Sequence, residues 1–264
     1  VRTREEFIGL LEKVLDELYD PHAQLTVNTA ASARLVPSGT DRWAEWRGDR
    51  ATILDVRARS DAERAAIRPG SVVVAIDGVP IAEAVARRLG RSYPASVTAA
   101  RDWALRAVLA GTHNTARRLL LRTSNENGDR NERIVELPAS DQVYGAEAAL
   151  LTVSRLPSGV ALVSFNDSLG DPATVAAFDQ ALAALRDAPG LLIDLRNTPS
   201  GGNSGVARGI LGRFVARETP YQKHLLPAEE SETGIRRSWL ELVSPRGEFV
   251  QVRPVAVLVG YWTG

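Results

Sequence analysis

The residues best suited to chemistry stand at the end of one apolar run, Leu192-Ile193-Asp194-Leu195-Arg196-Asn197-Thr198-Pro199-Ser200-Gly201-Gly202. A strand that passes through paired glycines into a helix N-terminus exposes backbone N–H groups at the open end of a sheet, where negative charge is stabilised. Donors fixed in this way suit an oxyanion hole, each contributing roughly 3 to 4 kcal/mol to a tetrahedral acyl-transfer intermediate. The same pattern also occurs in a tight strand-to-helix turn that binds nothing. Phosphate binding is a third reading, but no Gly-Lys-Ser/Thr ending follows the glycines. Asp194 and Arg196, two apart on a strand, share a face and read as a structural ion pair bracing the glycine loop.

Acyl transfer by a serine needs a base within hydrogen-bond reach, because an unassisted hydroxyl is a poor nucleophile at neutral pH. Of the three histidines, His22 is the best candidate, placed just after the helix end Leu18-Tyr19-Asp20-Pro21. The alternative is a helix-end histidine favoured by the C-terminal dipole. His113 and His224 stand in polar, loop-like surroundings and read as solvated surface residues. Ser168, after Asp167, lacks a nucleophile-elbow context and reads as a turn serine. The absence of cysteine excludes a thiol nucleophile, a thiolate metal site and a disulfide scaffold together. No metal and no cofactor is expected.

These residues need elements to position them. Phe7, Leu10, Leu11, Val14, Leu15 and Leu18 recur at three- and four-residue intervals, predicting an amphipathic helix over 3–18. Thr3 and Glu6 are placed for a reciprocal capping box, and Pro21 stops the helix. Gln24 to Thr29 alternates and predicts a strand leading towards Leu35 and Val36. Strands are expected at 51–56, 72–76, 118–122 and 132–137, with Asp77-Gly78 as a turn and Val79-Pro80-Ile81 resuming the strand. A short helix is expected at 60–65, and a longer one at 97–110 with Ser96 as N-cap and Gly111 as stop. Trp103 reads as core; Trp43 and Trp46 cover or pack against this module. After Pro138 the pattern alternates: strand 160–165, helix 174–187 opened by Asp171-Pro172, a central parallel strand 190–196, helix 204–215 and strand 255–259. The expected organisation is 1–50 as an N-terminal helix and strands carrying the histidine, 51–138 as a small β-rich module, and 139–264 as an α/β core.

Composition sets the outer limits. The chain has 264 residues, 44% hydrophobic, with Lys plus Arg and Asp plus Glu both at 32. That balance leaves no net field to draw nucleic acid or an anionic membrane, so neither is an expected partner. No stretch approaches the about 18 uninterrupted apolar residues of a membrane span, and the N-terminus lacks a signal-peptide pattern. A chain of this length without Met reads as one whose start, Val1, is a processing boundary.

The motifs taken together resemble the C-terminal processing (tail-specific) peptidases and the tricorn core protease, serine peptidases with a crotonase-like ββα core. The 194–202 segment is similar to their Asp-x-Arg, Asn and paired-glycine signature. Leu18 to Leu25 is similar to their early histidine motif, Ala58 to Ile81 to the second half of a bacterial PDZ domain, and Val255 to Gly264 to the strand delivering the serine. The resemblance implies an α/β, crotonase-like core with an inserted PDZ-like module. It implies a peptide or unfolded protein as substrate, His22 as general base, Gly201 and Gly202 in the oxyanion hole, and a serine immediately after Gly264. On this reading the 264 residues alone hydrolyse nothing. Pro21 departs from the tricorn-like pattern, which has a small hydroxyl residue before the histidine; many family members instead use a Ser-Lys dyad with the lysine after the serine. The alternatives are an inactive peptide-binding relative and a crotonase-like acyl-CoA enzyme. Homo-oligomerisation is left open, and the resemblance leans towards an exported protein.

Overall fold

Helix α1 (Arg4–Asp16) starts as its sequence predicts: the Thr3 hydroxyl accepts from the Glu6 amide at 3.1 Å. The reciprocal half differs, because Glu6 Oε2 accepts from the Arg2 amide at 2.6 Å and not from Thr3. Either amide would otherwise be an orphan donor at the helix start, so the stabilisation is of the same kind. The apolar stripe is split. Ile8 is buried and Leu11 and Leu15 are half-buried, whereas Phe7, Leu10, Val14 and Leu18 are exposed.

The computed structural model describes residues 1–25, 27–92, 94–113, 115–124, 130–139, 149–198, 201–247 and 253–263. The chain divides into two units, Val1–Tyr144 and Gly145–Gly264. Pro199, Ser200 and Gly264 lie outside the described residues, as do Thr26 and most of the polar loop expected between residues 123 and 131. No helix among the described residues is long and apolar enough to cross a membrane.

In the first unit, the strand expected at 24–29 does not form among its described residues. Its polar groups close local turns instead: the Gln24 amide donates to the His22 carbonyl, and the Thr29 amide to Ser32 Oγ at 2.8 Å. A strand without a ladder partner gains nothing over such turns, and the nearest ladder contact is the single bridge Ala33 to Thr112. The sheet is built from β1 (Arg42–Arg47), β2 (Arg50–Val56), β3 (Val72–Ile76), β4 (Val79–Pro80), β5 (Arg117–Ser124) and β6 (Arg130–Leu137), in the order β1-β2-β3-β5-β6 with β4 beside β3. The short helix expected at 60–65 forms as α2 (Asp61–Arg64), capped by Ser60. Asp77 and Gly78 both take positive φ, 49° and 79°, which makes the tight turn that Asp-Gly favours.

The strand expected over Val79-Pro80-Ile81 does resume as β4 over Val79–Pro80, but Ile81 already opens helix α3 (Ile81–Arg88). Ile81 and Val85, four apart, are both buried, so the helical period starts at Pro80 and overrides the strand reading. Helix α4 (Thr98–Ala110) has Val97 at its cap position with no side-chain acceptor, so Ser96 is not the cap; Gly111, at φ 73°, ends it as expected. Two buried arginines then satisfy its last carbonyls. Arg42 Nη2 donates to Leu109 O at 2.6 Å, and Arg117 Nη1 to Leu109 O and Ala110 O at 2.9 and 2.8 Å. Leu105 and Leu109 meet Ala44, Ile53, Val73, Leu119 and Leu121 in the core beneath, and Trp103 packs at its edge.

The second unit is a mixed α/β layer. Its main sheet holds β7 (Leu151–Arg155), β8 (Ala161–Phe165), β9 (Leu191–Asp194) and β13 (Val255–Leu258), ordered β13-β9-β8-β7. As its apolar run predicts, β9 is central, with parallel neighbours on both sides. It ends at Asp194, short of the expected Arg196, because Arg196 turns back to bind Asp194. Helix α5 (Ala173–Ala184) crosses from β8 to β9, and Phe178 and Leu182 are buried against Phe165. Helix α6 (Ser204–Leu211) stops at Gly212 and does not reach Val215. Short strands β10 (Asn197–Thr198) and β14 (Trp262–Thr263) pair with each other. Strands β11 (Thr219–Leu225) and β12 (Ser238–Val243) form a hairpin around helix α7 (Pro227–Thr233); these three elements, with β1 and β7, had no sequence expectation. His224 is correspondingly not in a loop: it lies in β11, half-buried, its ring stacked 4.8 Å from that of Trp239.

Candidate active site

The second unit gathers its chemistry where two parallel strands outrun the sheet. Beyond β9, the Leu195 amide donates to Leu258 O at 2.9 Å. The paths then pair again as β10 and β14, with Asn197 beside Trp262 and Thr198 beside Thr263. Both threonine hydroxyls donate to the Leu195 carbonyl at 2.8 Å, and Thr263 Oγ1 accepts from the Gly260 amide at 2.9 Å. Buried Trp262 anchors the second path. The strand end carrying Thr263 is therefore held in register with the one that leads towards Gly201 and Gly202.

Asp194 and Arg196 do form the expected structural pair, bidentate at 2.9 and 2.8 Å, and Asp194 also accepts from the Arg196 amide at 3.0 Å. The guanidinium holds the Asp194 carboxyl below the usual carboxylate range. An acid so committed is a brace for the turn and a poor proton donor.

The two glycines have different reasons to be there. At Gly201 a Cβ would meet nothing within 4 Å, whereas at Gly202 it would stand 2.5 Å from Ser168 O, a backbone atom that cannot step aside. A loop is pressed onto the turn at that point. Ser168 and Leu169 take φ values of 54° and 59°, and the Asn203 amide donates to Leu169 O at 2.9 Å. Asp167 holds this costly geometry, accepting from the Leu169 and Asp171 amides at 3.1 Å each and from Thr174 Oγ1 at 2.5 Å. Ser168 is thus a turn residue, as its sequence suggests, but the loop's contact with Gly202 had no local signal. Among the described residues the Gly201 and Gly202 amides donate to nothing, and Asn203 caps α6 directly after them, its Oδ1 accepting from Gly205 at 2.7 Å. The turn can offer N–H groups to an anionic oxygen.

His22 belongs to the first unit, and the exit of α1 positions it. Tyr19 takes φ 52°, its hydroxyl accepts from the Gly90 amide at 2.8 Å, and its ring meets Trp103 edge-on at 4.7 Å. Glu17 accepts from the Arg91 and Ser92 amides at 2.7 and 2.8 Å, and Asp16 pairs with Arg88. These anchors lie more than 70 residues away in sequence, which is why no local pattern foretold them. Asp20 was overlooked for a different reason, since an Asp that bonds the amide two residues on is a recognisable turn signal. Its Oδ1 accepts from the His22 amide at 2.9 Å and lies 2.8 Å from ring Nδ1. Those two contacts hold the Asp20 carboxyl below its ordinary value, the backbone bond first. Beside it a cavity of about 680 Å³ opens between α1 and residues 20–36, lined in part by Asp20, Leu25, Arg34, Arg88 and Trp103. His113 is half-buried, its amide donating to Ser32 O. Among the described residues no cluster of His, Asp and Glu could hold a metal ion.

No protein-family model matches the chain, and the search of curated proteins finds no match. Among solved structures, the chain is similar to a photosystem II D1 C-terminal processing protease (18% identity, TM-score 0.47), covering 98% of this chain and 64% of that one. It is similar to mature CPAF complexed with lactacystin (13% identity, TM-score 0.51), covering 95% of this chain and 68% of that one. A protein of Bacteroides fragilis NCTC 9343, provisionally named an S41 protease, aligns at 15% identity and TM-score 0.38 over 89% of this chain and 60% of that one. The chain thus spans about two thirds of the length of the structures it resembles, and with mature CPAF it shares a fold.

Proposed function

We propose that this chain carries most of the catalytic apparatus of a serine peptidase. The carrying observation is the parallel pairing of β10 with β14, which sets the end of one strand at Thr263 beside the path into Gly201 and Gly202. A serine at the position after Gly264 would then stand next to amide donors suited to its tetrahedral intermediate. His22 is the general base, accepting the serine proton and passing it to the leaving amine. The fold shared with mature CPAF, solved in complex with lactacystin, supports this reading, as do the glycine-turn amides, which donate to nothing among the described residues. The second unit is read as the crotonase-like core and the β1–β6 sheet as the PDZ-like module that engages an extended peptide.

The test uses the full-length protein with an unfolded polypeptide as substrate. Alanine at the serine after Gly264, and separately His22→Ala, should each lower cleavage by roughly 1,000-fold or more. Gly202→Ala should also lose activity, since its Cβ would collide with Ser168 O. Cleavage undiminished in the serine variant would end the peptidase reading.

A further inference from the structure

We propose that Asp20 is a positioning residue, whose carboxylate fixes the His22 imidazole with its proton on Nδ1 and leaves Nε2 as the basic nitrogen. This rests on the reading of His22 as general base and says how that base is prepared. One oxygen of Asp20 holds two points of His22, the backbone amide at 2.9 Å and ring Nδ1 at 2.8 Å. Holding both fixes the ring relative to its own backbone. Pro21 between them stiffens the link by fixing its own φ, and Tyr19 ties the turn to Gly90.

The chemistry of the contact decides the tautomer. The Asp20 carboxyl is held below its ordinary value by these same bonds, so at neutral pH it is ionised and can only accept. The proton in the contact must then lie on Nδ1, and a neutral ring protonated there carries its lone pair on Nε2. When the serine proton reaches Nε2, the resulting imidazolium keeps its Nδ1–H against a carboxylate, which stabilises the charge. The His22 and Asp20 side chains are 83% and 54% exposed, so the pair adds little to stability. Its consequence lies in the orientation and tautomer of the ring. Pro21 removes the hydroxyl residue expected before the histidine, and Asp20 supplies an orienting group in its stead.

The tautomer can be read without any activity. Two-bond ¹H–¹⁵N correlation spectra of the histidine-labelled chain, recorded alkaline of imidazole titration and assigned with His22→Gln, should show Nδ1 protonated and Nε2 unprotonated. Asp20→Ala should move the proton to Nε2, and Asp20→Glu should restore part of the wild-type pattern. A wild-type ring protonated on Nε2 would overturn the proposal, as would an unchanged pattern in Asp20→Ala. In the full-length protein, Asp20→Ala should lower kcat about 10- to 100-fold with KM unchanged. If His22→Ala is inactive while Asp20→Ala keeps full kcat, the positioning role alone is overturned. If His22→Ala keeps full activity, it is the general-base reading that fails.

Discussion

At one margin of the first sheet, β1 is packed against α4 and its Trp46 amide is bound by the Asp102 carboxylate at 2.7 Å. At one margin of the second, β13 exposes Val255 and Val257, and Val259 just beyond it is exposed as well. An unpaired strand edge is a template for adding another strand, and the two margins treat that hazard in opposite ways. Around β1 the Arg42 carbonyl accepts from Thr40 Oγ1 at 2.7 Å, and Arg106 and Arg101 lie over the rings of Trp43 and Trp46 at 4.5 and 4.6 Å. Among the described residues no strand pairs with the outer edge of β13. The comparison bears on the proposed peptide engagement, because strand addition at β1 would require α4 to give way.

The strongest way to break the comparison is to loosen α4. Leu105 is fully buried in the core that α4 and β1 share, and Leu105→Ala should cost about 2 to 5 kcal/mol. Trp43, Trp46 and Trp103 report on the first unit and Trp239 and Trp262 on the second. Denaturant unfolding followed at single-Trp variants should therefore show the loss in the first unit only.

Next comes the approach to β13, which is fastened by an ion cluster in place of a cover. Asp179 of α5 accepts from Arg246 Nη1 and Nη2 at 2.6 Å each and from Arg213 Nε at 2.9 Å. The guanidinium of Arg246, then that of Arg213, hold its carboxyl well below the usual range. A lowered folded value gives stability that is complete above the unfolded carboxyl value of about 4 and is lost as pH falls through the folded value. Asp179→Asn should therefore cost about 1 to 2 kcal/mol at neutral pH, allowing for partial exposure. The gap between wild type and variant should hold from pH 8 to 6 and narrow below about pH 4. A gap that widened in acid would assign the effect to some other group.

Much of this was legible beforehand because it is local. Strand β9 announced its central, parallel position by lacking a polar face, and Asp77-Gly78 and Gly111 announced their turns by type alone. Paired glycines at 201 and 202 marked the turn, but not that one of them answers to the Ser168 carbonyl 34 residues earlier. The stripe on α1 gave the helix without telling which part of it would be covered, since that depends on what packs there. Helix α3 was hidden because Ile81 follows directly on the two residues of β4, and the alternation at 24–29 promised a strand that finds no partner among the described residues. Local patterns carry propensity and period; the anchors of His22 and the guard on β1 come from residues distant in the chain.

A smaller effect isolates the cap on β1. Asp102→Ala leaves the Trp46 N–H without its acceptor in a half-buried place, which should cost about 1 kcal/mol. If α4 guards this edge, the same variant should bind an extended peptide more tightly than wild type, measured by fluorescence anisotropy of a labelled peptide. The counterpart on the second sheet should be nearly silent in stability. Val257 is 52% exposed on β13, so Val257→Lys removes little packing and should change the unfolding free energy by no more than about 0.5 kcal/mol. A lysine on an open edge does oppose edge-to-edge association, so light scattering at high concentration should fall in the variant. A large loss of stability instead would mean that Val257 is covered by another part of the protein, and that the two margins differ less than their exposure indicates.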